Sequence, residues 1–141
     1  GDPMAVSLSN IFVNLPVKDL QRSMNFFQSI GFEFNPLFSD EKAACLVIGP
    51  NIFAMLLTEE YFKSFTKKEI PDTSGHSEVI VALSAESRNQ VDEIVNKALA
   101  SGGKPYSDPV DHGFMYTWSF QDPDSHLWEI VFMDPSAVPS E

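Results

Sequence analysis

The chain has 141 residues, 43% hydrophobic and 21% charged, a balance that fits one compact domain with a sizeable core. Its formal net charge of −11 argues against nucleic acid and anionic membranes as partners, because such a surface repels phosphate groups. The lone cysteine, Cys45, excludes an intramolecular disulfide and favours a cytoplasmic location. No stretch approaches the roughly 20 apolar residues of a membrane span.

The first half predicts a strand, a helix and three further strands in residues 8–66, preceded by an arm in which residues 1–3 are interpreted as a tag remnant. Asp19 can cap the helix and Gly31 can end it. The remaining predictions are strands at 10–17, 32–38, 43–48 and 52–57, a helical face of Leu20, Met24, Phe27 and Ile30, and a short helix at 59–65 with Tyr61, Phe62 and Phe65 turned inward.

The second half repeats this order in residues 77–135, after a polar linker at 67–76, and a tail follows at 136–141. Ser87 and Gln90 have capping-box spacing, and Gly102-Gly103 ends the helix that they open. The remaining predictions are strands at 78–83, 116–120 and 127–132, a weak edge strand at 104–110, and a helical face of Val91, Ile94, Val95, Ala98 and Leu99.

The two halves therefore form a duplicated module. Val13 and Leu15 correspond to Val81 and Leu83, and Gly31 corresponds to Gly102. One module would expose an apolar sheet face, whereas two modules can cover each other and enclose a cavity.

Glu129 is a single carboxylate within an apolar strand, and a charge in such a place must be paired, hydrated or bound. It is either a catalytic or ligand-binding group or a carboxylate paired in a wet cavity. His126 has H-x-x-E spacing to Glu129, but an offset of three on a strand points the two side chains to opposite sides. His126 is therefore predicted to be a solvent-facing turn residue. His112, in the loop that leads to Phe114, is a candidate acid or base at a cavity rim, and the alternative is a plain surface loop.

Tyr116, Trp118 and Phe120 alternate with small polar residues, so one face of their strand is aromatic. That face either lines a cavity and stacks a ligand or packs against a helix as ordinary core. Cys45, in an apolar strand, is interpreted as an inert buried thiol.

The chain resembles the vicinal oxygen chelate superfamily, which includes glyoxalase I, bleomycin and fosfomycin resistance proteins and extradiol dioxygenases. The resemblance covers about residues 8–135 and is carried by the segments 13–20 and 29–32 and by the Phe120-x-Asp-Pro-Asp-x-His-x-x-Glu-Ile130 motif. Within the superfamily it is closest to predicted lactoylglutathione lyases. The resemblance implies an α+β fold in which two βαβββ modules form a cup-shaped mixed sheet, together with a homodimer.

The metal enzymes of this superfamily place one ligand on each of four strands. Laid on this chain, those positions fall on Phe12, near Leu56, near Ile80 and on Glu129, and only the last can bind a divalent metal. No cofactor is therefore expected, and Phe12, Met55, Leu56 and Ile80 are expected to line the cavity.

The sequence thus predicts a glyoxalase-like protein that binds a small apolar or aromatic molecule without the usual metal. Glu129 and His112 are the candidate catalytic residues. The predicted ligand-binding residues are Phe12, Met55, Leu56, Ile80, Phe114, Tyr116 and Trp118. The alternatives are a metal-dependent lyase or dioxygenase with relocated ligands, such as Glu129 with His112 across a dimer, and a scaffold whose cup has become a packed core.

Overall fold

The structure is a computed structural model and describes residues 4–136, so the proposed tag remnant and most of the tail lie outside the described residues. Two mixed sheets carry the architecture, as the α+β prediction requires. The elements in chain order are β1 (Ile11–Val17), α1 (Leu20–Ile30), β2 (Glu33–Asn35), β3 (Ala43–Gly49), β4 (Ile52–Thr58), α2 (Glu59–Lys63), β5 (Ile80–Ser84), α3 (Arg88–Ala100), β6 (Lys104–Pro105), β7 (Val110–Asp111), β8 (Met115–Gln121) and β9 (Leu127–Met133).

The duplicated module is visible in the strand order of the two sheets. The first sheet runs β1-β4-β3-β2 and the second runs β5-β9-β8-β6, with β7 also pairing with β8. In each sheet the strand before the helix pairs in parallel with the last strand of the module, which pairs antiparallel with the strand before it. The helix thus connects two elements of one sheet and covers one of its faces.

Helix ends follow the local signals in the sequence. The Asp19 side chain accepts a hydrogen bond from the amide of Arg22, and Ser87 caps α3 through the amide of Gln90. Gly31 and Gly102 lie at φ +119° and +103°, a backbone region that strongly favours glycine, which explains their matching positions in the two modules.

One hydrophobic core serves both modules. Phe27 of α1 contacts Trp128 of β9 with ring centroids 5.1 Å apart, and Phe26 contacts Phe120 of β8 at 5.9 Å. The other fully buried members come from both halves of the chain and include Leu15, Leu46, Leu56, Val91, Val95 and Ile130. Neither module therefore has a complete core of its own.

A polar cluster in the turn between β8 and β9 adds a second link between the modules. Buried Asp122 accepts hydrogen bonds from the amides of Asp124 and His126 and from Trp128 Nε1, at 2.9, 3.1 and 2.9 Å. Asp124 in turn accepts from the amide of Lys18 at 2.9 Å and from Ser23 Oγ of α1 at 3.2 Å. Burial raises the pKa of the Asp122 carboxyl, and its hydrogen bonds and the nearby His126 only partly offset this.

His126 corrects one sequence prediction. Its side chain is buried rather than solvent-facing, and its Nε2 lies 2.6 Å from the carbonyl oxygen of Pro16 in β1. The His126 ring therefore links the β8–β9 turn of the second module to β1, the first strand of the first module. The neighbouring Ser125 has φ +65°, so this turn does use the strained conformation that glycine would adopt without cost.

Three element boundaries also differ from the prediction. The strand expected at 32–38 ends at Asn35, because Pro36 lacks an amide donor and opens a 3-10 turn. The edge strand expected at 104–110 is instead two short strands that both pair with β8. Phe65 lies beyond α2 with 65% of its surface exposed, so its inward placement was wrong.

Candidate functional site

The candidate site is the open face, the side of each sheet turned away from α1 and α3. Side chains alternate across a strand, so the strand registers determine which residues share this face. In the first sheet the open face carries Phe12, Asn14, Pro16, Glu33, Asn35, Ala43, Cys45, Val47, Phe53, Met55 and Leu57. In the second it carries Ile80, Ala82, Ser84, Lys104, Val110, Met115, Thr117, Ser119, Gln121, Leu127, Glu129, Val131 and Met133.

Glu129 lies on this open face, in the middle strand of the second sheet. Its lateral neighbours are Ala82 of β5 and Ser119 of β8, while Trp128 and Ile130 point to the core on the other side. Glu129 is half-buried. Within residues 4–136 its carboxylate has no hydrogen-bond or salt-bridge partner. It is therefore available to a ligand.

The modular repeat aligns the candidate positions. Glu129 lies between Ala82 and Ser119 as Met55 lies between Asn14 and Cys45, so Met55 is its counterpart in the first module. Phe12 and Ile80 are likewise equivalent. Each lies two residues before the neighbour of the previous pair, Asn14 in β1 and Ala82 in β5. Three of these four positions are apolar and the fourth is an acid.

Phe12 and Ile80 are 49% and 56% exposed, so both present apolar surface on the open face. The ring of Phe12 stacks on Phe53 with centroids 4.8 Å apart and an angle of 13° between the planes. The pair presents a flat aromatic surface on the open face of the first sheet. The short helix α2 contacts the same two strands that carry this pair, β1 and β4.

Leu56 does not belong to the candidate site. It is fully buried in the core and faces the helices, because its neighbour Met55 occupies the open side of β4. In the sequence analysis, the superfamily's metal-ligand position on this strand was assigned to Leu56, which is one residue beyond Met55, the residue on the open face. That error matters, since a shift of one residue moves a side chain to the opposite face.

Tyr116 and Trp118 also lie on the helix side, so their assignment to ligand binding is corrected. The Tyr116 hydroxyl donates to Asp92 of α3 at 2.5 Å, and Trp118 Nε1 donates to the carbonyl of Ser107 at 3.0 Å. Of the two readings of the aromatic face, packing against the helix is confirmed. The open face of β8 instead carries the small polar residues Thr117 and Ser119.

The hydrogen bond to Asp92 raises the pKa of Tyr116 to about 12 from the ordinary 10.0, with burial and the Asp92 charge adding to the shift. The stabilisation linked to this group is fully present below pH 10.0 and is lost as the pH rises through about 12. We expect Tyr116→Phe to remove a tyrosinate absorbance step near pH 12, and Asp92→Asn to move that step to lower pH. A step near pH 12 that survives in Tyr116→Phe would contradict this assignment.

His112 and Phe114 lie at the end of the open face rather than beside Glu129. The amide of His112 bonds to the carbonyl of Met115 at 2.7 Å, and Met115 is four residues along β8 from Ser119, the neighbour of Glu129. That separation corresponds to about 13 Å of strand. Within one chain, the strand register therefore does not bring His112 beside Glu129. Phe114 is 42% exposed in the same loop.

Ser119 and Ser107 were not singled out from the sequence. Their hydroxyl oxygens lie 2.6 Å apart, and Ser119 is directly beside Glu129 in the register. Only the pairing of the loop at 106–109 with β8 brings them together, and no sequence spacing indicates it. Cys45 is buried, and burial raises the pKa of its thiol, which disfavours the reactive thiolate.

Among the described residues, no three His, Cys, Asp or Glu side chains lie close enough together to hold a metal ion. No helix between residues 4 and 136 has the length and apolar character needed to cross a membrane.

Comparison with known proteins agrees with this architecture. Residues 10–49 match the family described as bleomycin resistance protein-like N-terminal. A hypothetical protein, SA1046 from S. aureus, is 25% identical with a TM-score of 0.75, covering 90% of this chain and 95% of its own. A glyoxalase/bleomycin resistance protein/dioxygenase family enzyme from Burkholderia phytofirmans is 16% identical with a TM-score of 0.74, covering 86% and 96%. The fosfomycin resistance protein FosX from Listeria monocytogenes is 23% identical with a TM-score of 0.64, covering 95% and 98%.

No curated protein matches the chain. The fold is nevertheless that of the glyoxalase/bleomycin resistance/dioxygenase proteins, and the N-terminal match points the same way. This fold and the N-terminal match are what the resemblance to the vicinal oxygen chelate superfamily implies, and membership of that superfamily is a prediction that they support. The lactoylglutathione lyase subgroup stays a prediction.

Proposed function

We propose that the protein binds a small apolar or aromatic molecule on the open face, next to Glu129 and without the superfamily's usual metal. The observation that carries the proposal is the composition of the four equivalent positions. Phe12, Met55 and Ile80 present hydrocarbon, and Glu129 presents one partnerless carboxylate. Apolar walls with few polar groups are the usual make-up of small-molecule sites.

The residues at these positions do not fit the metal site of the superfamily. A divalent metal needs several nitrogen or oxygen ligands at about 2.0–2.2 Å, and a phenyl ring, a thioether and a branched alkyl chain are poor or impossible ligands for it. The lateral neighbours of Glu129 are an alanine and a serine, which do not complete a ligand set. We therefore derive no metal-dependent step for this site.

Part of the open face is already buried within the chain, at Cys45 and Leu57, but the part around Phe12 and Ile80 needs a cover before it can enclose a ligand. Exposed Phe12 and Ile80 lie on strands whose other sides are already packed on the core. A second copy of the chain would bury these residues and enclose the site, which is why we include a homodimer in the proposal. Buried between two such faces, an apolar ligand would gain about 25 cal/mol per Å² of apolar surface.

A thermal-shift screen of small aromatic compounds tests the proposal. A compound at 100 times its dissociation constant should add about 2.7 kcal/mol to the free energy of unfolding. We expect Glu129→Gln to alter the affinity of the hits, and Glu41→Gln, in the exposed turn before β3, to leave it unchanged. Equal binding of every hit by wild type and Glu129→Gln would remove Glu129 from the site.

Metal analysis of the purified protein separates the proposal from the metal-dependent lyase or dioxygenase. We expect no stoichiometric divalent ion that depends on Glu129. An ion that is lost in both Glu129→Gln and His112→Ala, but retained in Glu41→Gln, would instead support relocated ligands contributed by two copies of the chain.

A further inference from the structure

The charge pattern of the open face points to a class of ligand. Across the open faces of β1–β5, β8 and β9, the strand registers place two carboxylates, Glu33 and Glu129, and no Lys, Arg or His. Glu33 is exposed on the short edge strand β2, whereas Glu129 is half-buried in the middle of its sheet. Counting Lys104 of β6, the two open faces together carry two carboxylates and one lysine.

The strand registers place one Lys or Arg on this face, Lys104, and its side chain is already engaged. Lys104 of β6 is in register with Gln121 at the sheet edge, but its Nζ donates to Ser125 Oγ in the β8–β9 turn at 3.0 Å. Arg88 lies on the helix side, where it approaches Asp111 at 3.4 Å and the ring of Phe132. Neither provides a positive charge beside Glu129.

A phosphate, phosphonate or carboxylate ligand beside Glu129 would therefore meet a negative charge on a chain of net charge −11, while the Lys104 ammonium is held at the β8–β9 turn. A half-buried carboxylate without a partner instead favours a positively charged ligand that can donate a hydrogen bond, because both the opposite charge and the donor stabilise the ionised carboxylate. Ser119 places a hydroxyl beside the Glu129 carboxylate, and this hydroxyl lies 2.6 Å from that of Ser107. The Ser119 oxygen can accept a hydrogen bond from the same ligand donor that binds the carboxylate.

We infer that the open face selects a protonated amine carried on an aromatic or apolar body, with Glu129 as the counter-ion and Ser119 as a second acceptor. Ile80, which lies two residues before Ala82, the β5 neighbour of Glu129, and is 56% exposed, provides an apolar surface for the body. This inference rests on the proposed function and adds the charge of the ligand to it.

A matched series of naphthyl compounds tests the inference by titration calorimetry: naphthylethylamine, naphthylethanol and naphthylacetic acid. We expect the amine to bind about tenfold more tightly than the alcohol, the effect of one charge-assisted hydrogen bond. The acid should bind more weakly than the alcohol. Raising the ionic strength should reduce the advantage of the amine, because salt screens the charge pair.

Two variants separate this inference from the proposed function. Glu129→Gln should abolish the preference for the amine and leave the affinity of the alcohol within about twofold, whereas Glu33→Gln should preserve the preference. A third variant, Ile80→Ala, should weaken the amine and the alcohol equally, since it removes apolar surface next to Glu129 and not the charge.

Equal affinities for amine, alcohol and acid in the wild type would overturn the amine inference and leave the proposed function standing. An amine preference that survives Glu129→Gln, or that is lost in Glu33→Gln, would overturn the role of Glu129. Absence of binding by all three compounds would overturn the amine inference, and the neutral members of the thermal-shift screen would then decide the proposed function separately.

Discussion

Asp122→Ala should destabilise the protein by about 3 kcal/mol or more. The substitution leaves three buried donors, the amides of Asp124 and His126 and the indole nitrogen of Trp128, without an acceptor. Each such donor costs about 1–3 kcal/mol when water cannot replace the lost partner. Urea denaturation of wild type and variant measures the difference directly, provided that the slope with denaturant is unchanged.

Asp40→Ala is the matched control for this prediction. Asp40 also accepts two backbone hydrogen bonds in a turn, from the amides of Lys42 at 2.8 Å and Ala43 at 3.0 Å, but its side chain is exposed. Water can reach the freed amides, so we expect a loss of at most about 1 kcal/mol. Similar losses for the two variants would show that the burial of Asp122 contributes little.

The turn around Asp122 also shows what the sequence could and could not predict. His126 was predicted to lie in a turn, and the structure has that turn between β8 and β9, with Ser125 at φ +65°. The bonds from Asp124 to Lys18 and Ser23 were not predictable, because more than 100 residues separate the partners and only the packing of the two modules brings them together. The same reason explains why His126 is buried rather than exposed.

The helices and most strands could be predicted because their signals are local. Caps such as Asp19 and Ser87 and stops such as Gly31 depend on residues within one turn of the helix. The faces of the strands could not all be predicted, since an apolar residue fits either the core or a ligand-binding surface. Tyr116 and Trp118 took the core side, and Phe12 and Ile80 took the open side.

Glu129 could be singled out from the sequence because a lone acid in an apolar strand must be paired, hydrated or bound, and its role in a site stays a prediction. The register then corrected its counterpart from Leu56 to Met55. Alternation could have indicated this correction in advance: Ala54 and Leu56 continue the core-facing side of a strand on which Phe53 and Met55 face the other way.

Phe27→Ala should destabilise both halves of the protein, by about 3–5 kcal/mol in total. The ring is 1% exposed and contacts Phe26 and Trp128 with centroids 4.9 and 5.1 Å away, so its loss leaves a cavity at the junction of the two modules. The surrounding side chains belong to two sheets and cannot readily move in to fill it. Phe38→Ala, at a site 62% exposed, should change the stability by no more than about 0.5 kcal/mol.

The two tryptophans make this substitution a test of the shared core. Trp118 and Trp128 both lie in the second module, whereas Phe27 lies in the first. If one core stabilises both modules, tryptophan fluorescence should report the full loss in a single cooperative transition that coincides with the loss of helical circular dichroism. A fluorescence midpoint that stays at the wild-type value while the circular dichroism midpoint falls would show that the modules unfold independently. The contacts of Phe27 with Trp128 and of Phe26 with Phe120 argue for the cooperative outcome, because each module buries its largest side chains against the other.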